Sequence, residues 1–406
     1  MFKKIILLFI FSLSFNTITA ASAEKEKPYI LIVSLDGFRW DYLDRNLTPN
    51  LKKIENNGVR ALNLQPVFPS KTFPNHYSIV TGLYPQNHGI IHNSFININT
   101  GERYRIGDTV SVRNDKWYHG TSIWTLLQKN GIKSASYFWP GSEVRKAHPT
   151  YFKKFDKSIP HNQRIESIIS WLQLPEADRP HLLLLYFCDT DTKGHHFGPD
   201  SEELNNAVTF LDSKIAYLQK RLNDIAMLNK INLIVLSDHG MTDISDSKII
   251  DLSGIIEKYK LEYSGKSPVI SLYPKNDKEK TIILSELKNK EEGYKVYSKS
   301  NTPVYYHYSQ NDMLGDILIV ADKGYSLLVK QKASTFRLKN KGNHGYDNHL
   351  LDMQGIFLAR GPVFKRAYKT GQLRNIDIFP LICRIMNIGQ PQKIDGNIEC
   401  IDFILR

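Results

Sequence analysis

YILIVSL, residues Tyr29 to Leu35, is an unbroken apolar run that ends in Asp36-Gly37. A strand with one wet face alternates apolar and polar residues, whereas a strand covered on both faces reads as continuous, so this run predicts a central strand of a parallel sheet. Two further runs share the pattern. HLLLLYF, His181 to Phe187, leads into Asp189 and Asp191, and INLIVLS, Ile231 to Ser237, leads into Asp238-His239. Helical periodicity is expected over 48–57, 75–81, 122–130, 163–172 and 201–225, with another strand at 134–138. The chain closes with a strand at 355–359 and a helix at 376–386. This βαβα rhythm predicts an α/β fold: a doubly wound, mostly parallel sheet flanked by helices. Between 243 and 341 the text changes to shorter strands (269–272, 317–320), a helix near 280–290 and many turn residues, which reads as a small inserted or capping subdomain.

A chain of 406 residues, 41% of them hydrophobic, can bury a large core and is not disordered. Residues 1–23 stand apart. Lys3 and Lys4 precede an apolar stretch from Ile5 to Phe15, and small residues follow as far as Ala23, the pattern of a cleaved secretory signal. That stretch is too short to span a bilayer, and the expectation is an exported protein, periplasmic or secreted, with residues 24–406 as one catalytic domain. The formal charge of +12 favours anions, but the lysines are spread along the chain rather than stacked, which argues for a generally basic surface over a stable nucleic-acid partner. Of the three cysteines, Cys188 reads as a small buried residue, while Cys383 and Cys400 either pair or remain free thiols. Oligomeric state is not legible.

In a doubly wound sheet, ligands gather beyond the carboxyl ends of the strands. One Asp after one strand would be read as a turn or cap residue; three strands each ending in carboxylates point to a shared site. Asp36, Asp191, His195, Asp238, His239 and His344 are the candidate metal ligands. Mixed Asp and His donors suit zinc or a similar first-row ion better than calcium or magnesium. Asp191 and His195 are expected to meet through a turn at Gly194, and the glycines around His344 leave its loop free to present an imidazole. Thr72, at the mouth of a helix, is the candidate nucleophile, with Ser70 as its rival. Free amides and the helix dipole at such a mouth favour a phosphate, while a threonine hydroxyl needs a metal ion to become a nucleophile.

The segments LDGFRWDYL (from Leu35), FPSKTFPNHYSIVTGLYPQNHGIIHN (Phe68 to Asn93), FWPGSEV (from Phe138), DTDTKGHHFGP (from Asp189), SDHGM (from Ser237) and GNHGYDN (from Gly342) resemble the motifs of the nucleotide pyrophosphatase/phosphodiesterase family within the alkaline phosphatase superfamily. The resemblance runs from about Tyr29 to Asp395. It implies an alkaline-phosphatase-like fold and two Zn2+ ions, one held by Asp191, His195 and His344, the other by Asp36, Asp238, His239 and the Thr72 oxygen. It further implies that Asn93 donates a hydrogen bond to a phosphate oxygen and that Phe73 and Tyr186 sandwich a nucleobase. Trp139 is a candidate for the same slot or for the core. Where the family often has Glu-Pro-Asp, this chain has Asp189-Thr190-Asp191; spacing to His195 assigns Asp191, with Asp189 as the fallback. Lacking the cysteine-rich and nuclease-like modules of animal members, the sequence resembles a stand-alone bacterial catalytic domain.

The implied activity is zinc-dependent hydrolysis of nucleotide diesters and pyrophosphates through a phosphothreonine. Two other readings stay open: a lysophospholipid or glycerophosphodiester phosphodiesterase, and a zinc-stabilised relative that binds nucleotides without turnover. A sulfatase is disfavoured, because no C-x-P-x-R or S-x-P-x-R segment occurs.

Overall fold

The seven residues of the first strand are all buried, as a strand covered on both faces requires. The structure, a computed structural model, describes residues 27–330 and 337–406; the expected signal at 1–23 lies outside the described residues. In chain order come β1 (Tyr29–Leu35), α1 (Pro49–Asn57), β2 (Val59–Ala61), α2 (Thr72–Thr81), α3 (Ile123–Lys129), β3 (Ser134–Tyr137) and β4 (Tyr151–Lys153). Next are α4 (His161–Leu172), β5 (Leu182–Phe187), α5 (Asp189–Phe197), α6 (Glu202–Asp224) and β6 (Ile231–Leu236). Then come β7 (Glu262–Lys266), β8 (Val269–Tyr273), α7 (Asp277–Lys288), β9 (Tyr294–Ser298) and β10 (Ile317–Ala321), followed by β11 (Phe357–Arg360), β12 (Tyr368–Thr370) and α8 (Ile378–Met386).

The main sheet has eight strands in the order β12-β2-β11-β6-β1-β5-β3-β4. β6, β1, β5, β3 and β4 run parallel, and β11 is antiparallel to both neighbours. Alternate residues feed two cores. Ile30, Ile32, Leu182, Leu184, Ile234 and Leu236 face the side covered by α2, α3 and α8. Leu31, Val33, Leu183, Leu185, Leu233 and Val235 face the side covered by α1, α4 and α6. The fold is thus the expected alkaline-phosphatase-like α/β sheet with helices on both faces.

Residues 262–321 build a separate four-stranded antiparallel sheet, β7-β8-β10-β9, around its own apolar cluster of Ile270, Leu272, Ile283, Ile317 and Ile319. Two expectations need correcting. α2 starts at Thr72 rather than Asn75, because Pro74 sits in the first turn, where a missing N–H breaks no intrahelical bond. Asp191 and His195 meet not through a turn but on α5, with Gly194 inside the helix. All three cysteines are free, Cys383 buried and Cys400 exposed. Among the described residues no helix is long and apolar enough to cross a membrane.

Candidate metal centre and nucleophile

β6, β1 and β5 lie side by side and parallel, so their carboxyl ends open at one edge, and Asp36, Asp191 and Asp238 all leave the sheet there. The fit is close. Gly37 turns with φ +66°, and a Cβ on it would stand 2.9 Å from the Asp191 Cα, so the glycine lets α5 approach the end of β1. The Asp191 N–H donates to the Asp36 carbonyl at 3.0 Å and the Gly37 N–H to Asp238 Oδ1 at 3.3 Å, which ties three strand ends together. Gly194 packs against Met241, where a Cβ would lie 3.1 Å from the methionine side chain.

Each candidate imidazole is oriented by its backbone neighbours. His239 Nδ1 lies 2.8 Å from the Gly240 carbonyl, His344 Nδ1 2.7 Å from that of Ser70, and His195 Nδ1 2.9 Å from that of Gly342. A carbonyl accepts only, so each Nδ1 carries a proton and, on a neutral ring, Nε2 presents a lone pair; at His195 burial works downward, but Asp191 outweighs it and raises the imidazole. Those lone pairs face carboxylates: His239 Nε2 is 3.1 Å from Asp238 Oδ2 and 3.3 Å from Asp36 Oδ1, while Asp191 Oδ1 is 3.3 Å from His195 Nε2 and 3.5 Å from His344 Nε2. Asp36 Oδ1, Asp191 Oδ1 and Asp238 Oδ2 are buried with no hydrogen-bond partner among the described residues. Lone pairs facing lone pairs in a buried site repel unless cations lie among them, so the donor set fits metal ions.

The electrostatics agree. Burial, then the neighbouring carboxylates, push Asp36 and Asp238 well above the usual range. Asp191 goes the other way: burial works upward, but His195, His239 and Lys71 outweigh it and hold the carboxyl down. Burial pushes His239 down to about 3 and His344 down as well, so both stay neutral and able to ligate. Two groups of ligand atoms result, each within 4.8 Å: Asp36, Asp238 and His239, and Asp191, His239 and His344. His195 adjoins the second through Asp191. Asp189, the fallback ligand, turns away to pair with His161 Nε2 at 2.8 Å.

Thr72 opens α2 with its Oγ1 3.4 Å from His239 Nε2. Its rival Ser70 is fully buried, and its hydroxyl donates to the Tyr346 carbonyl, which removes it as a nucleophile. Asn93 Oδ1 accepts from the Phe73 N–H at 3.0 Å, which leaves the amide NH2 of Asn93 for another acceptor.

The aromatic expectations divide. Phe73 is partly buried and meets Tyr104 edge-on. Tyr186 is only 6% exposed; its hydroxyl donates to Asp36 Oδ2, and its ring packs edge-on with those of His76 and Phe155. Trp139, 1% exposed, donates its indole N–H to the His76 carbonyl and belongs to the core. The exposed ring beside Tyr186 is Phe155, at 45%, which the sequence reading did not single out. Also missed was His76, whose Nδ1 lies 2.9 Å from the Thr72 carbonyl and 3.3 Å from Asp238 Oδ2. Its place four residues after Thr72, on the same helix face, was the available signal.

Residues 30–347 match the family model described as type I phosphodiesterase / nucleotide pyrophosphatase. The chain is 35% identical to human ectonucleotide pyrophosphatase/phosphodiesterase family member 5 over 96% of its own length and 80% of that protein's. It is 34% identical to the bis(5'-adenosyl)-triphosphatase of Bos taurus, with 97% and 85% covered. It is 35% identical to a venom phosphodiesterase of Crotalus durissus collilineatus, of which it spans about half, 48%. A solved structure of murine ectonucleotide pyrophosphatase/phosphodiesterase 5, an inactive threonine-to-alanine variant in complex with AMP, superposes with a TM-score of 0.88 at 33% identity, covering 94% of this chain and 100% of that one.

Proposed function

Because the chain belongs to the type I phosphodiesterase / nucleotide pyrophosphatase family and is a hydrolase of that kind, we propose that it cleaves nucleotide phosphodiester and pyrophosphate bonds with Thr72 as the nucleophile. The observation that carries this reading is the Thr72 hydroxyl, set at a helix N-terminus 3.4 Å from His239 Nε2, against a buried group of carboxylates and imidazoles. Two Zn2+ ions, one on Asp191, His195 and His344 and the other on Asp36, Asp238, His239 and Thr72, would lower the pKa of the hydroxyl and neutralise charge building at phosphorus.

The residues of the chain do the rest. Thr72 Oγ bonds to phosphorus as the bond to the leaving oxygen breaks, giving a phosphothreonine ester. Water then cleaves that ester, restoring the Thr72 hydroxyl and releasing a nucleoside 5′-monophosphate. Each step inverts phosphorus, so the net outcome is retention. Asn93, its Oδ1 already engaged by the Phe73 N–H, directs its amide protons to a nonbridging phosphate oxygen. His76 holds the Thr72 carbonyl and so steadies the first turn of the helix. Phe73 borders the slot for the base.

The murine relative, inactive as a threonine-to-alanine variant and bound to AMP, supports both a threonine nucleophile and an adenylate product. ATP, dinucleotides and cyclic dinucleotides are the substrate class, and free nucleotides rather than nucleic acid are the partners. The same reading has the protein exported to the periplasm or the medium, with residues 1–23 removed.

The test is release of p-nitrophenol from p-nitrophenyl thymidine 5′-phosphate and from p-nitrophenylphosphocholine, with and without chelator. Chelator-sensitive turnover of the first is expected. Turnover of the second alone would make the protein a phospholipid diesterase, and turnover of neither a binding protein. Thr72→Ala should abolish turnover with metal still bound; near-normal rates in that variant would remove Thr72 from the chemistry.

A further inference from the structure

Lys71 immediately precedes Thr72, yet its side chain does not cap the helix that Thr72 begins. It is 5% exposed, and its Nζ donates to the His344 carbonyl at 2.5 Å, the Ser267 carbonyl at 3.2 Å and Asn343 Oδ1 at 3.3 Å. All three acceptors are neutral oxygens from distant parts of the chain. Burial pushes this amine down, with only the more distant charge of Asp191 pulling it back up, and no carboxylate touches it among the described residues, so keeping it charged is costly and a space-filling role would be better served by an apolar side chain.

The surroundings are shaped to admit it. Gly345 has φ +109°, and a Cβ on it would stand 2.3 Å from Lys71 Cε, so only glycine leaves the lysine its path. The three acceptors also brace one another. Asn343 Oδ1 accepts from the His344 N–H at 2.9 Å, and Asn343 Nδ2 donates to the Ser267 carbonyl at 3.3 Å. On the other side of Lys71, the Ser70 carbonyl accepts from His344 Nδ1 and the Ser70 hydroxyl from the Gly345 N–H. Two consecutive residues therefore hold the His344 loop just before the nucleophile. Ser267 belongs to the turn between β7 and β8, so the same ammonium reaches the second sheet.

We propose that Lys71 is a positioning residue, whose ammonium clamps the loop bearing His344 and the β7–β8 turn onto the segment that presents Thr72. This inference rests on the assignment of Thr72 and His344 made above. It sets the reacting oxygen in register with the ligands of both groups, although Lys71 touches neither substrate nor metal.

Three variants test it. Lys71→Met keeps most of the volume and loses the N–H donors, and Lys71→Ala loses both. Each should lower kcat about 100-fold, the scale of a small misplacement of a reacting group, with KM changed less than about threefold. Ethylammonium should restore at least about tenfold in kcat to Lys71→Ala, since a small amine can reoccupy the three acceptors. Metal content under graded chelator should fall at about tenfold lower chelator in Lys71→Met than in wild type, the signature of a loosened ligand loop. Asn343→Leu, which keeps the lysine and removes one acceptor, should show a smaller loss of the same kind, and it serves if the Lys71 variants do not fold. Lys71→Met within threefold of wild-type kcat, or losses that track thermal stability and ignore ethylammonium, would overturn the proposal. Wild-type protein inert toward nucleotide diesters would sink the functional reading instead, and metal retention would still judge Lys71.

Discussion

The two groups of candidate metal ligands, an inner and an outer half, differ in depth. Asp36, Asp238 and His239 are sealed beneath the first turn of α2, whereas Asp191 and His195 on α5 keep 19% and 22% of their side chains exposed. The inner half touches the Thr72 hydroxyl and receives hydrogen bonds from Tyr186 and the Gly37 N–H. The outer half opens to solvent at Asp191 and His195, while its third member, His344, is buried. A buried site is held by packing and by hydrogen bonds to its ligands, while an open one exchanges more readily with solvent, so the inner half is expected to fix the reacting oxygen and the outer half to exchange its ion more freely.

The largest effect should come from breaking the inner half. Asp238→Asn should cost roughly 10³-fold or more in kcat, the upper scale for removing one charge-stabilising group from a reacting centre, and added zinc should not recover it. His195→Gln, in the outer half, should cost roughly 10²-fold and regain much of it in excess zinc, because an exposed site refills by mass action. Steady-state rates across a zinc titration check both. Equal rescue of the two variants would mean that depth does not distinguish the halves.

A smaller effect sharpens the comparison from within the inner half. Tyr186→Phe removes the hydroxyl that donates to Asp36 and keeps the ring. Metal retention should weaken about tenfold, as when an outer hydrogen bond to a ligand is lost, with KM for a nucleotide diester unchanged. A raised KM with full metal content would instead return Tyr186 to base stacking, the role that the family resemblance implied.

The contacts of Tyr186, which the family resemblance did not convey, show what the sequence can carry. The three central strands were legible because both faces are buried and the text has no polar alternation to confuse. The ligands after them were legible because parallel neighbours must end at one edge. The start of α2 was obscured by Pro74, which reads as a breaker but is harmless in a first turn, and α5 by Gly194, which reads as a turn but answers to the closeness of Met241. The roles of Tyr186, Trp139 and Lys71 depend on which groups come from elsewhere to meet them. No local pattern encodes that Trp139 binds the His76 carbonyl, or that Lys71 ends beside residues 267 and 343–344.

The smallest expected effect lies outside both halves, at Asp41. Arg39 Nε meets Asp41 Oδ1 at 2.5 Å, Arg45 Nη2 meets Oδ2 at 3.1 Å, and Arg39 Nη1 also donates to the Met241 carbonyl just past His239. Burial alone would raise the Asp41 carboxyl, but hydrogen bonds and charge from the two arginines outweigh it and leave it below the usual range. The folded state therefore favours the ionised carboxylate more than the unfolded chain does. The resulting stability is fully present above the unfolded pKa of about 4 and fades as pH falls through the lower folded value. In urea unfolding of chelator-treated protein, Asp41→Asn should be less stable than wild type by about 1 kcal/mol at pH 7, the scale of a partly exposed ion pair, with the gap closing toward pH 3. In the metal-loaded enzyme kcat should stay within about twofold, since a brace outside the ligand set adds stability without orienting a reacting group. A gap that does not narrow in acid would mean that Asp41 acts through packing rather than charge, and a fall in kcat would extend the inner half, through the segment 239–241, to this arginine pair.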